Sequence, residues 1–85
     1  KLTGRYQDGG ASYELKKTSV GYDLFKTGQT ESFARLIKSG GGENYLYSSE
    51  AVSGNAFFDT AGNLIAEYVD PTSDQVVSVI YRKDQ

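Results

Sequence analysis

The residues that enzymes use most often for catalysis are partly missing from this chain. It contains no histidine and no cysteine, which excludes a histidine general base, a cysteine nucleophile and a zinc site built from these two residue types. Four carboxylates remain as candidates for the paired acids that cleave a glycosidic bond: Glu43, Glu50, Asp59 and Glu67. Most of them lie in or beside predicted turns, where acidic residues bond to the local backbone, and so short a chain leaves little room for a substrate cleft. We therefore expect no enzymatic activity.

Two loops have sequences similar to those of ligand-binding loops. Residues 39–44 contain three consecutive glycines, but the Gly-Lys-Ser/Thr of a phosphate-binding loop does not follow. Asp70, Thr72 and Asp74 alternate like calcium ligands, but the glycine and the distal glutamate of a calcium loop are missing. We expect a flexible hairpin tip and an ordinary turn, with no metal and no cofactor.

Tyrosine is used to excess, with seven copies in 85 residues. It joins a large apolar ring to a polar tip, which suits protein interfaces and sugar faces. Small β proteins also use tyrosine as a strand former and half-buried core residue, and we expect this role for Tyr13, Tyr22 and Tyr81. A second pair of tyrosines shares one face of a predicted strand beside the glycine loop. We predict a binding patch there, formed by Tyr45, Tyr47, Gly41, Gly42, Glu43 and Asn44.

The C-terminal hairpin departs from simple alternation, because residues 64–66 and 76–81 place apolar side chains on both faces. A strand with one face exposed to solvent should carry polar side chains on that face. Either both faces are covered within the domain, or another molecule covers one of them. The second alternative predicts an interface that includes Ile65, Val76 and Ile80.

Charge and hydropathy narrow the choice of partners. The chain has 11 acidic and 9 basic residues, a formal net charge of −2, and the basic residues are scattered along it. Since nucleic-acid binders concentrate Lys and Arg on one face, we expect no nucleic-acid partner. No apolar stretch approaches the roughly 20 residues that span a bilayer, so we expect no membrane insertion. Richness in Gly, Ser, Thr and Tyr favours a secreted or periplasmic protein, although the absence of cysteine fits a reducing compartment equally well.

Turn-forming clusters separate short apolar runs along the whole chain. They fall about ten residues apart, the spacing of a small antiparallel β protein. The clearest hairpin joins residues 2–7 and 11–16 through Asp8, Gly9 and Gly10, whose glycines supply the positive φ of a tight turn. We predict one mainly β domain over residues 1–85, a small antiparallel barrel or strongly bent meander of seven or eight short strands.

Residues 30–38 leave two alternatives open. Phe33, Leu36 and Ile37 stand at helical spacing, with Thr30 as a possible cap and Gly40 as a stop, so a short helix fits. The same residues also fit a strand. Further strands are predicted at residues 22–26, 44–48, 52–58, 64–69 and 76–82, and Gly62 is predicted to be left-handed.

The preferred functional hypothesis is a non-catalytic, exported binding module that acts through a protein surface, with enzyme inhibition as one form. The alternatives are a structural subunit held by its C-terminal hairpin, which would self-associate or bind a dedicated partner, and a glycan or small-ligand binder that uses its tyrosine face.

Overall fold

The computed structural model describes residues 2–84 and shows eight antiparallel strands that close into one barrel. In chain order the strands are β1 (Gly4–Asp8), β2 (Ala11–Lys17), β3 (Gly21–Lys26), β4 (Ala34–Lys38), β5 (Tyr45–Ser49), β6 (Ser53–Phe58), β7 (Leu64–Asp70) and β8 (Gln75–Lys83). Each strand pairs with the next, and β1 also pairs with β8, so the sheet closes on itself. The predicted small antiparallel barrel is confirmed, with eight strands.

The turns follow their predicted chemistry. Gly9 and Gly10 have φ of 55° and 89° and connect β1 to β2 with Asp8 opposite Ala11. Positive φ at both central residues matches the right-handed twist of the flanking strands. Gly62 has φ of 90°, as predicted. The predicted strands from residue 22 onward lie within one residue of the observed ones at each end.

Residues 34–38 adopt the strand alternative, residues 30–33 belong to the β3–β4 turn, and residues 2–84 contain no helix. Ala34 and Leu36 point into the barrel and are 2% and 0% exposed. Residues of β4 pair with β3 on one side and β5 on the other. Two ladders of backbone hydrogen bonds therefore override the helical spacing of the apolar residues, which a local pattern cannot anticipate.

Tyrosine and leucine side chains fill the barrel interior. The buried apolar residues are Tyr6, Tyr13, Leu15, Tyr22, Leu24, Ala34, Leu36, Tyr47, Ala56, Leu64, Ala66 and Tyr81. The three tyrosines expected in the core are confirmed there. Rings meet edge-on, as between Tyr13 and Tyr81, whose centroids are 5.1 Å apart at 81°.

Strand β6 provides the room that the large rings need. Its inward-facing Gly54 lies opposite Tyr47 on β5 and Tyr68 on β7. A Cβ at position 54 would overlap the carbonyl oxygen of Glu67 and the Cα of Tyr68. The absence of a side chain at this position therefore lets the backbones of β6 and β7 approach each other closely.

Replacement of Gly54 by alanine tests this requirement. We expect Gly54→Ala to lower the free energy of unfolding by about 1–3 kcal/mol, because the added methyl group must displace the backbone of β7. Urea denaturation followed by circular dichroism measures the change. Gly41→Ala is the matched control, because a Cβ there meets nothing within 4 Å. Equal stability of the two variants would contradict the close approach.

The buried tyrosine hydroxyl groups have partners within the barrel. The hydroxyl oxygens of Tyr47 and Tyr81 are 3.2 Å apart, and the Tyr6 hydroxyl donates to the carbonyl oxygen of Leu2 at 2.6 Å. Among residues 2–84, every fully buried side-chain nitrogen or oxygen has a hydrogen-bond partner. Burial, the largest cause, raises the pKa of Tyr6 to about 12 and raises the pKa of Tyr81 well above its ordinary value.

These raised pKa values predict how stability depends on alkaline pH. In the unfolded chain the tyrosine hydroxyl groups ionise near pH 10, whereas the folded barrel holds Tyr6 and Tyr81 in the neutral form. This difference stabilises the fold fully below pH 10. This stabilisation is lost as pH rises through the folded-state values, because the unfolded chain then gives up protons that the barrel retains. We expect the free energy of unfolding to fall steadily above pH 10.

Ultraviolet absorbance of tyrosinate, recorded with circular dichroism, measures this effect. Tyr6 and Tyr81 should ionise only together with unfolding. Ionisation of all seven tyrosines near pH 10 with the circular dichroism spectrum unchanged would contradict their burial.

Candidate functional site

The meander topology places alternate turns at opposite ends of the barrel. The β1–β2, β3–β4, β5–β6 and β7–β8 turns meet at one end, which we call the acidic end. It carries five carboxylates and one lysine: Asp8, Glu31, Glu50, Asp70, Asp74 and Lys26. The β2–β3, β4–β5 and β6–β7 turns meet at the other end, which we call the lysine end. Its rim carries three lysines at inward positions of their strands: Lys17, Lys38 and Lys83.

Three aromatic rings close the lysine end beneath these lysines. The rings of Tyr22, Tyr45 and Phe58 are each 5.7 Å from the other two, at angles of 61° to 88°. The Lys17 Nζ lies 5.2 Å from the Tyr22 centroid, and the Lys38 Nζ lies 5.3 Å from the Tyr45 centroid. Each ammonium group is thus attracted by the electron-rich face of a ring while it remains at the surface.

The hydroxyl of Tyr22 stays protonated at this end. Burial raises its pKa, and the neighbouring Tyr45 raises it further. The lysine end therefore presents the neutral phenol group of Tyr22 beside Lys17 at physiological pH.

The structure places one residue of the predicted binding patch in the barrel core. Tyr45 and Tyr47 share one face of β5 as predicted, but that face points into the barrel, and Tyr47 is 3% exposed beside Tyr81. Leu46, between them, faces solvent with 58% exposure. Alternation identifies the residues that share a face, but the closure of the barrel decides which face is inside.

The rest of the predicted patch lies together at the lysine end. Tyr45 is half-buried at the rim, and the β4–β5 loop beside it is exposed. The loop includes the predicted residues Gly41, Gly42, Glu43 and Asn44. A hydrogen bond from the Ser39 amide to the Asn44 carbonyl, 3.0 Å long, closes its base.

The two tyrosines should respond differently to truncation. We expect Tyr47→Ala to cost about 3–5 kcal/mol of stability, because it empties the core and leaves the Tyr81 hydroxyl unpaired. Tyr45→Ala should cost less, since its ring lies at the rim, and Leu46→Ala should change stability by less than about 1 kcal/mol. Thermal and urea unfolding measure all three. Similar costs for Tyr47→Ala and Leu46→Ala would contradict the inward direction of Tyr47.

The four candidate catalytic carboxylates are dispersed over the barrel. Glu43 and Asp59 lie in turns at the lysine end, Glu50 lies at the acidic end, and Glu67 faces outward from the middle of β7. Asp59 organises its own turn, accepting hydrogen bonds from the Ala61 and Asn63 amides at 3.0 and 2.8 Å. These bonds, chiefly that of the Asn63 amide, lower the pKa of Asp59. Its carboxylate therefore serves the local backbone.

The loop with calcium-like spacing is built as a turn. The Asp70 carboxylate accepts the Thr72 amide at 3.0 Å and the Ser73 hydroxyl at 3.2 Å, and Asp74 takes φ of 60° to enter β8. Within residues 2–84, no group of three or more acidic residues is placed to hold a metal ion. The described part of the chain also contains no helix long and apolar enough to cross a membrane.

The outer face of β6 to β8 carries two rows of apolar side chains. Phe57, Ile65 and Ile80 are cross-strand neighbours in one row, and Val69 pairs with Val76 in the other. Val76, Val69 and Ile80 are 72%, 50% and 40% exposed. Glu67 and Ser78 lie between the rows. We call the five apolar residues the apolar strip.

The described domain does not itself cover both faces of the C-terminal hairpin. The inner face of the hairpin packs in the core through Leu64, Ala66 and Tyr81, whereas no other part of residues 2–84 covers the outer face. The predicted interface residues Ile65, Val76 and Ile80 all lie on that outer face. Phe57 and Val69 were missed by the sequence reasoning, although the period-two spacing of Val69 from Ile65 is a visible signal.

Comparison with known proteins leaves the function to be inferred from this geometry, since no family model, curated protein or solved structure matches the chain.

Proposed function

We propose that this protein is a non-catalytic, exported module that binds another protein through the apolar strip and the acidic turn beside it. The observation that carries the proposal is the outward exposure of Val69, Val76 and Ile80 on a barrel whose core is complete without them. Clustered exposed apolar side chains on a small domain are costly in water and are typical of protein interaction sites.

The strip is a rigid apolar surface that suits a protein partner. Its residues occupy three hydrogen-bonded strands, so their side chains stand on a rigid surface and lose little conformational freedom on binding. Burial of one exposed valine or isoleucine side chain contributes about 1.5–3 kcal/mol. The strip therefore supplies enough apolar contact for a specific complex when polar contacts surround it.

Charge defines the chemistry of that partner. The row formed by Val69 and Val76 lies next to the β7–β8 turn, which carries Asp70 and Asp74 at the acidic end of the barrel. We therefore expect the partner to present an apolar patch bordered by lysine or arginine, because complementary charge accelerates association and selects the orientation of the complex. Inhibition of an enzyme whose active-site rim is basic would be one such function.

Capture from an extract and culture fluid of the source organism, followed by binding measurements with the purified partner, tests the proposal. We expect Val76→Lys and Ile80→Lys to weaken the complex at least about tenfold, because each places an ammonium group in the apolar contact. Val20→Lys is the matched control, since Val20 is 52% exposed, between Ile80 and Val76, but lies in the β2–β3 turn at the lysine end, away from the strip. Asp74→Asn should slow association at low salt.

Equal weakening by Val20→Lys and Val76→Lys would contradict the role of the strip. Analytical ultracentrifugation of the purified chain tests the alternative that the protein is a structural subunit that associates with itself. A wild-type dimer that Val76→Lys converts to a folded monomer would assign the strip to self-association instead.

A further inference from the structure

Four neighbouring strands present lysine and tyrosine alternately at the lysine end. Lys17 on β2 lies directly opposite Tyr22 on β3, and Lys38 on β4 lies directly opposite Tyr45 on β5. All four occupy inward positions of their strands, so the closed barrel gathers their side chains at one rim. This arrangement arises from strand register and not from any local sequence motif.

Between these side chains the surface forms a depression of about 480 Å³. It is lined by Lys17, Ser19, Val20, Gly21, Ile37, Lys38 and Tyr45. Volumes of several hundred Å³ are typical of small-ligand sites. Val20 and Ile37 are 52% and 36% exposed, so the depression has an apolar wall beside two ammonium groups.

The two ammonium groups are available to a ligand. Among residues 2–84 the ion pair of Arg35 with Asp23 is the one that the structure shows, so neither Lys17 nor Lys38 is neutralised by a carboxylate of the described chain. Their positions over the rings of Tyr22 and Tyr45 hold them near the depression. Each ammonium group offers three N–H donors, which suit an anionic oxygen.

We propose that this depression binds a small amphiphilic anion. Lys17 and Lys38 hold its carboxylate, phosphate or sulfate head group, and Val20, Ile37 and the edge of Tyr45 contact its hydrocarbon part. The site lies at the lysine end and is separate from the apolar strip, so it is a second binding function of the same barrel.

The geometry favours this ligand over a neutral sugar. A sugar ring binds an aromatic side chain by stacking on one of its faces, but the aromatic residue that lines the depression is Tyr45, and the Lys38 ammonium group already lies over one face of its ring. An anion needs no access to that face, because it contacts the ammonium groups directly. The exposed valine and isoleucine then distinguish an amphiphilic anion from an inorganic one.

Titrations monitored by two-dimensional NMR of the isotope-labelled chain test the proposal. The probes are octanoate and octyl phosphate below their micelle concentrations, with inorganic phosphate and octyl glucoside as comparisons that lack either the tail or the charge. We expect shifts confined to residues 17–22 and 37–45. Both amphiphilic anions should bind at least about tenfold more tightly than either comparison compound.

Variants locate the site and separate it from the proposed protein interface. Lys17→Gln combined with Lys38→Gln should weaken octanoate and octyl phosphate about tenfold, as expected for the loss of two exposed ionic contacts. Lys26→Gln is the matched control, because Lys26 also lies over an aromatic ring, that of Phe33, but at the acidic end. Val76→Lys should leave this binding unchanged even where it abolishes the protein complex.

Three results would overturn the proposal. One is equal affinity for octyl glucoside and octanoate, which would show that charge is irrelevant. Another is equal weakening by Lys26→Gln, which would show non-specific attraction to lysines. The third is an absence of shifts at the lysine end with all four probes.

Discussion

The interior of a closed eight-stranded barrel must be filled by its own side chains, and this chain fills it largely with tyrosine. A tyrosine ring supplies the volume that short strands need, but its hydroxyl group is costly to bury without a partner. The contact between the Tyr47 and Tyr81 hydroxyls joins β5 to β8 across the barrel, and the Tyr6 hydroxyl bonds to the chain just before β1. The core is therefore ordered by polar contacts as well as by packing.

The same constraint explains the small residues among the large ones. Ala56 and Ala66 are opposite each other on β6 and β7 and are fully buried, and Gly54 lies between Tyr47 and Tyr68. Small and large residues alternate around the barrel so that rings from different strands can meet at its centre. At the rim, inward positions reach solvent, which allows lysine to follow the strand pattern without being buried.

Much of the fold could be predicted from the sequence because turns are local. Two hairpins could be predicted because their turns need a positive φ, which glycine adopts readily. These turns contain Gly9, Gly10 and Gly62. The state of residues 30–38 was undecided because pairing with two other strands determines it. Alternation could not give the direction of Tyr47 for the same reason, since only the closed barrel distinguishes inside from outside.

The functional surfaces were less visible because they combine residues far apart in the chain. Lys17 and Lys38 are 21 positions apart in sequence (38 − 17) yet line one depression. The acids of the opposite end are interleaved with the lysines along the sequence, so the composition shows only a net charge of −2. A meander sorts them, because every second turn returns to the same end.

The two ends of the barrel are far enough apart for the two proposed binding functions to be independent, although Glu43 and Asp59 also lie at the lysine end. The molecule measures 33 × 32 × 25 Å in its Cα extents, which exceeds the Debye length of about 8 Å at physiological ionic strength. The five carboxylates of the acidic end are therefore largely screened at the lysine end, where they would otherwise repel an anion. Conversely, the lysines barely weaken the attraction of the acidic turn for a basic partner. In the proposed functions each end recognises its ligand at short range, so the modest net charge of the whole chain predicts the preference of neither surface.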